Sequence, residues 1–279
     1  MTQTEFTIKS WADTELFART ATPDTPPRGT VLISHGYAEH SGRFLHYMKA
    51  LAADGWRVVA FDHTGHGQSE GMTGLILRMK HWTYEIDNFV DRIRSEHTEL
   101  PIVVLGQSGG SAATIRYAAA HQDKIDAIVL SSMYLQNGEP VNPALIVSAH
   151  ILDFIVPMLP VKPFDAQYLC LDPDVVSDYR SDPLVYNGNV RVRTGLELIG
   201  SYKPVLAAAA EIKIPALFLH GTGDRIASLE AVRKVFYLYG SEEKELKLYD
   251  GLYHELHNEK AGPEIIEYVV GWLDRQFPR

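Results

Sequence analysis

Ile102-Val103-Val104-Leu105-Gly106-Gln107-Ser108-Gly109-Gly110 runs a short apolar stretch directly into a Gly-x-Ser-x-Gly pentapeptide. A run of this kind ending in turn residues reads as a buried strand, and the glycines permit a sharp strand-to-helix turn with a strained serine at its apex. The Ser108 hydroxyl is thereby held out at the end of the strand as a candidate nucleophile. The pentapeptide alone is weak, because at ordinary Gly and Ser frequencies about one chain in ten of this length matches by chance. Its surroundings decide.

Moving outward, the same alternation recurs along the chain. Val31-Leu32-Ile33-Ser34 ends in His35-Gly36, and Val58-Val59-Ala60-Phe61 ends in Asp62. Ala127-Ile128-Val129-Leu130, Ala216-Leu217-Phe218-Leu219 and Leu246-Lys247-Leu248-Tyr249 repeat the pattern. Between them, Phe44 to Asp54, Trp82 to Glu96, Ser111 to Ala120, Leu229 to Tyr239 and Glu264 to Gln276 carry apolar residues at three- and four-residue spacing. Strands alternating with helical stretches predict a mostly parallel sheet flanked by helices. Phe6-Thr7-Ile8 and Leu16-Phe17-Ala18 are expected to add an antiparallel pair at one edge.

One segment breaks the rhythm. From about 133 to 208 strand-like runs stop, and prolines and apolar helical patterns take over, which predicts a helical cap inserted between core segments 1–132 and 209–279. Within it, the strongly apolar stretch from Ala144 to Pro160 contains His150 and Asp153 and is interrupted by Pro157. It is short for a membrane span and reads as a lid or interfacial helix, or as a helix packed on the core. Exposure of its apolar side chains separates those readings.

The chain has 279 residues, 46% of them hydrophobic and 22% charged, enough for one sizeable core plus an insertion. A net charge of -9 argues against nucleic acid as a partner and against simple attraction to anionic head groups. The single cysteine, Cys170, has no internal partner and reads as a small buried apolar residue. The start Met1-Thr2-Gln3-Thr4-Glu5-Phe6 lacks a basic segment followed by an apolar one, so a reducing cytoplasm is the expected setting, with peripheral contact at membranes as a second option.

A serine needs a base within hydrogen-bond reach and a third group to orient that base. His254 and Asp224 lie downstream of Ser108, and nucleophile, acid, histidine is the chain order of the α/β-hydrolase fold. Asp224 follows Gly221-Thr222-Gly223 after a strand, a loop suited to turning a carboxylate inward. Asp62 and Asp250 also follow strands and are weaker candidates, while His257 is the rival base. His63 and His66 invite a metal reading, but no ligands recur at metal spacing, so no metal and no cofactor are expected.

Further motifs carry a resemblance. His35-Gly36-Tyr37-Ala38-Glu39-His40-Ser41-Gly42-Arg43-Phe44 and Phe61-Asp62-His63-Thr64-Gly65-His66-Gly67-Gln68-Ser69-Glu70-Gly71 stand in the first half. Ser181-Asp182-Pro183-Leu184-Val185, Gly221-Thr222-Gly223-Asp224-Arg225 and Tyr253-His254-Glu255-Leu256-His257-Asn258-Glu259 follow. Together they resemble the monoacylglycerol lipase family, grouped with serine aminopeptidase-like hydrolases, over nearly the whole chain. The resemblance implies an α/β-hydrolase fold and a serine carboxylester hydrolase cleaving monoacylglycerols through an acyl-enzyme, with Ser108, Asp224 and His254 as the triad. It also implies oxyanion donors at the backbone N–H groups of Tyr37 and Gly109, with His35 bracing the loop. Glu39, Arg43 and His257 fall where related lipases bind the glycerol head group, although a salt bridge bracing the loop is an equal reading for the first two.

The expected partner is a lipid ester, with transient micelle or membrane-surface contact through the cap, in a monomer or homodimer. A lysophospholipase, carboxylesterase or thioesterase would share the same triad. Two departures stand at the elbow, where the family usually has histidine for Gln107 and methionine for Gly109. The loss at Gly109 keeps the donor but is expected to loosen the turn and alter the acyl pocket. Both departures keep open a catalytically silent binding protein on the same fold.

Overall fold

The computed structural model describes residues 1–136 and 142–279, so the part of the expected cap at 137–141 lies outside the described residues. In chain order the strands are β1 (Thr2–Lys9), β2 (Glu15–Thr22), β3 (Thr30–Ser34), β4 (Arg57–Phe61), β5 (Ile102–Gln107), β6 (Ala127–Ser131), β7 (Pro160–Pro163), β8 (Asn189–Arg191), β9 (Ala216–Gly221) and β10 (Lys244–Tyr249). The helices are α1 (Leu45–Ala53), α2 (Met79–Glu96), α3 (Gly109–His121), α4 (Pro143–Ile155), α5 (Pro173–Ser181), α6 (Val192–Gly200), α7 (Tyr202–Ala209), α8 (Leu229–Leu238) and α9 (Gly262–Gln276).

Eight strands form one sheet in the order β1-β2-β4-β3-β5-β6-β9-β10. The pairs β1/β2 and β2/β4 are antiparallel, and the remaining ladders are parallel. Period-two alternation sends Leu32, Val59, Val104 and Ile128 to one face, packed with Ile86, Phe89 and Ile115. Val31, Val58, Val103 and Val129 face the other way, onto Leu51, Ile265 and Trp272. Burial on both faces is why the central strands read as continuous apolar runs in sequence. The sheet order reverses at β3, which pairs with both β4 and β5; in such sheets the crevice beyond the strand ends at that switch point holds the site.

The cap departs from expectation in two places. Strand-like pairing does not stop there, because β7 and β8 form an antiparallel ribbon. Its prolines at 160 and 163 masked it, since proline is tolerated where a ladder has an open edge. In addition, the boundary at 208 cuts through α7, whose Val205 and Ala209 are wholly buried in the core cluster.

Backbone contacts stitch the second half of the insertion to the core. Tyr186 N donates to Ala38 O at 2.9 Å, and Glu255 N donates to Leu169 O at 2.7 Å. Thr194 Oγ1 accepts from Ile76 N at 3.0 Å, and the Glu259 carboxylate accepts from Leu171 N at 3.0 Å. Helix α4 is held differently, with Asp153 paired to Arg193 at 2.8 Å. Its Phe154 is 93% exposed, Leu145 63% and Ile151 60%. That exposure excludes packing of this face on the core.

Candidate active site

Ser108 stands between β5 and α3 with φ 51° and ψ -117°, a conformation L-residues avoid. Its neighbours enforce the turn. A Cβ on Gly106 would lie 2.6 Å from Ser111 Cα, and one on Gly110 would lie 2.2 Å from Ser34 O. The strained residue is also tied down, as Ser108 N donates to Ser131 O at 2.9 Å and Ser108 O accepts from Tyr134 N at 3.1 Å.

The downstream loops bring two groups to this hydroxyl. Ser108 Oγ lies 2.8 Å from His254 Nε2, and His254 Nδ1 lies 2.7 Å from Asp224 Oδ2. The other Asp224 oxygen accepts from Ile226 N at 2.8 Å and Ala227 N at 2.9 Å, which fixes the carboxylate. With Nδ1 donating to Asp224, Nε2 is left to accept the serine proton. Burial disfavours a charged His254, but the Asp224 charge and hydrogen bond, with Glu255 and Glu39 further off, outweigh it and hold the imidazole above its usual range. Burial likewise pushes Asp224 up, and His254 more than reverses it.

The alternatives are occupied elsewhere. Asp62 accepts from Ser41 N at 2.7 Å and Gln68 N at 2.8 Å, bracing a loop, and Asp250 accepts from Thr222 Oγ1. His63 uses both ring nitrogens, one on Ser34 Oγ at 2.9 Å and one on Glu85 at 2.6 Å. His35 Nε2 accepts from His63 N at 2.9 Å, so it sits under the loop as a brace. Burial pushes the Cys170 thiol up to about 12, which leaves it unreactive.

The loop after β3 is pressed against the serine: a Cβ on Gly36 would meet Ser108 Cβ at 2.8 Å. This brings the loop that carries Tyr37 against the serine, and Gly109 is the first residue of α3, where a helix leaves its N–H groups without intrahelical partners. At Gly109, where a loosened turn and an altered acyl pocket are expected, Trp82 and Leu198 fill the adjoining space.

Glu39 and Arg43 do come together. Glu39 accepts from Gly36 N at 2.8 Å, and its other oxygen lies 3.6 Å from Arg43 Nε. Arg43 also pairs with Glu255 and lies over the Tyr179 ring at 4.8 Å. Burial and the neighbouring Glu255 charge push Glu39 up to about 8 despite Arg43. His257 is stacked on Phe44 at 4.5 Å, its Nε2 buried without a hydrogen-bond partner among the described residues. Burial, then His46 and Arg43, keep it neutral.

Sequence reading missed Glu255, Tyr179 and Glu85. Only Glu85 left a signal: it is an acid on the apolar stripe of α2, among Trp82, Ile86 and Phe89, and it is wholly buried.

A mostly parallel sheet with a serine elbow at its switch point, and acid and histidine on later loops, defines an α/β-hydrolase. The chain belongs to the serine aminopeptidase, S33 family, which matches residues 25–261. It is 35% identical to the monoacylglycerol lipase of Mycolicibacterium smegmatis over 252 residues, 90% of each chain. Over 255 residues it is 32% identical to the monoglyceride lipase of Homo sapiens, covering 91% of this chain and 84% of the relative. The crystal structure of Paleococcus ferrophilus monoacylglycerol lipase superposes with a TM-score of 0.83 at 31% identity, covering 92% of this chain and 98% of that one.

Proposed function

We propose that the protein is a serine carboxylester hydrolase that cleaves monoacylglycerols to glycerol and free fatty acid. The observation carrying this reading is the continuous hydrogen-bonded chain from Ser108 through His254 to Asp224, in a fold shared with relatives named monoacylglycerol lipases. Ser108 Oγ attacks the ester carbonyl as His254 Nε2 takes its proton, and Asp224 stabilises the imidazolium. The amides of Tyr37 and Gly109 receive the charge that builds on the carbonyl oxygen. The carbonyl re-forms, the glycerol oxygen leaves with the proton from His254, and an acyl-serine remains. Water deprotonated by His254 then releases the fatty acid and restores Ser108.

Glu39, Arg43 and His257 are the proposed head-group set. Arg43 already faces Glu39 and Glu255, so among the described residues of this set a phosphodiester would find no unpaired cation, whereas a neutral diol can use His257 Nε2, which has no hydrogen-bond partner among the described residues. This favours glycerol esters over lysophospholipids. The exposed face of α4 is proposed to rest transiently on the lipid surface that supplies substrate; among the described residues no helix is long and apolar enough to cross a membrane. The test compares hydrolysis of 1-monoacylglycerols and lysophosphatidylcholine at several acyl lengths, with Ser108→Ala as the blank. Preference for the lysophospholipid, or activity on short aryl esters alone, would discard the lipase reading and keep the serine mechanism.

A further inference from the structure

Gly109 is a glycine for a different reason from its neighbours. At Gly106 and Gly110 an added Cβ meets backbone well inside contact distance, so nothing larger fits. At Gly109 the backbone is helical, and the first atoms met belong to side chains: Trp82 Cζ3 at 3.3 Å and Leu198 Cδ2 at 3.5 Å. Room for a side chain exists there, and an indole occupies it.

That indole is held in place. Trp82 is wholly buried on α2 and stacks on the His63 ring with centroids 3.9 Å apart and planes 5° apart. His63 is fixed at both nitrogens, by Ser34 Oγ at 2.9 Å and Glu85 Oε2 at 2.6 Å. Glu85 Oε1 in turn accepts from Thr64 Oγ1 at 2.6 Å and Trp11 Nε1 at 3.3 Å. Since packed interiors transmit strain, a side chain larger than a methyl at 109 pushes the elbow against a ring that is held in place. The amide of residue 109 moves with the elbow.

We propose that Trp82 is a positioning residue for the oxyanion donor. Trp82 and Gly109 form a size-matched pair in which the indole, clamped by the Ser34–His63–Glu85 chain, sets where the first turn of α3 lies relative to Ser108. The proposal rests on the assignment of the Gly109 amide made above, and it adds a side chain on which that donor depends.

The experiment measures kcat, KM and thermal midpoint with p-nitrophenyl butyrate for the wild type, Gly109→Met, Trp82→Leu and the double variant. Gly109→Met should lose about 100-fold in kcat with KM within about 2-fold, as expected for a donor displaced by a fraction of an ångström. Trp82→Leu should lose about 10-fold, and the double variant should be no worse than Trp82→Leu alone, a coupling of at least about 100-fold. Gly109→Ala needs only a small yielding at the 3.3 Å contact and should lose about 3-fold with an unchanged midpoint, which guards against a methionine variant that fails to fold. Wild-type kcat in Gly109→Met, or losses that simply multiply in the double variant, would overturn the pair. Coupling seen in the thermal midpoint but absent from kcat would overturn the positioning role as well. Fluorophosphonate labelling of wild-type Ser108 is run alongside. An unlabelled wild type sinks the catalytic reading itself, whereas a labelled wild type with multiplicative losses sinks the pair alone.

Discussion

The end of the sheet and helix α4 invert the usual sorting of side chains in opposite directions. Beneath the elbow, polar and ionisable groups are buried: Ser34, His63, Glu85, Asp224, His254 and Glu255 are nearly inaccessible to water. On α4, large apolar groups face outward, with Phe154 almost fully exposed. Polar groups inside survive because hydrogen bonds satisfy them, and apolar groups outside call for a surface to cover them. The first region is built for fixed geometry and the second presents the face proposed above to meet lipid, and the pair teaches that violations of the sorting rule mark where function is to be sought.

The strongest way to break the first half is Ser108→Ala, which should abolish turnover, a loss of about 10⁴-fold or more, with the thermal midpoint preserved. Retained ester hydrolysis in that variant would refute the assignment. Asp224→Asn should come close behind with a loss of about 10³ to 10⁴-fold, because the amide favours the wrong imidazole tautomer. For the second half, Phe154→Asp should reduce hydrolysis of micellar monoacylglycerol about 10-fold and that of a soluble short-chain ester less than about 2-fold, reflecting the transfer energy of one aromatic side chain. Equal losses on both substrates would remove the contact role.

The smallest effect tests electrostatics within the buried region. An imidazolium does not accept the serine proton, so kcat/KM should fall as pH drops through the His254 value, which Asp224, Glu255 and Glu39 hold above the usual histidine range. Glu255→Gln removes one negative neighbour and should move that acid limb down by roughly half a pH unit. A limb that stays put would remove Glu255 from the elevation and leave it to Asp224 and Glu39.

Much of this was legible in the sequence for a physical reason. Central strands buried on both faces read as unbroken apolar runs, and a strained serine requires small neighbours, so both leave local marks. Ser108, Asp224 and His254 could be picked because each follows a strand in an order the topology dictates. Pairings between distant segments leave no such mark: nothing near Glu255 announces Arg43, and nothing near Trp82 announces Gly109. The β7/β8 ribbon was hidden by its prolines, and α7 by an alanine-rich composition that does not distinguish core from cap. Exposure of α4 depends on what packs against it, which periodicity does not report.

The bond from Glu255 N to Leu169 O, with Leu171 N on Glu259, joins the insertion to the loop that carries His254. The insertion is therefore not an interchangeable module. A chimaera that imports another relative's cap while keeping the native 253–259 loop would separate two segments that close on each other, and the imidazole would lose part of the scaffold that orients it. Grafts should transplant 165–172 and 253–259 together.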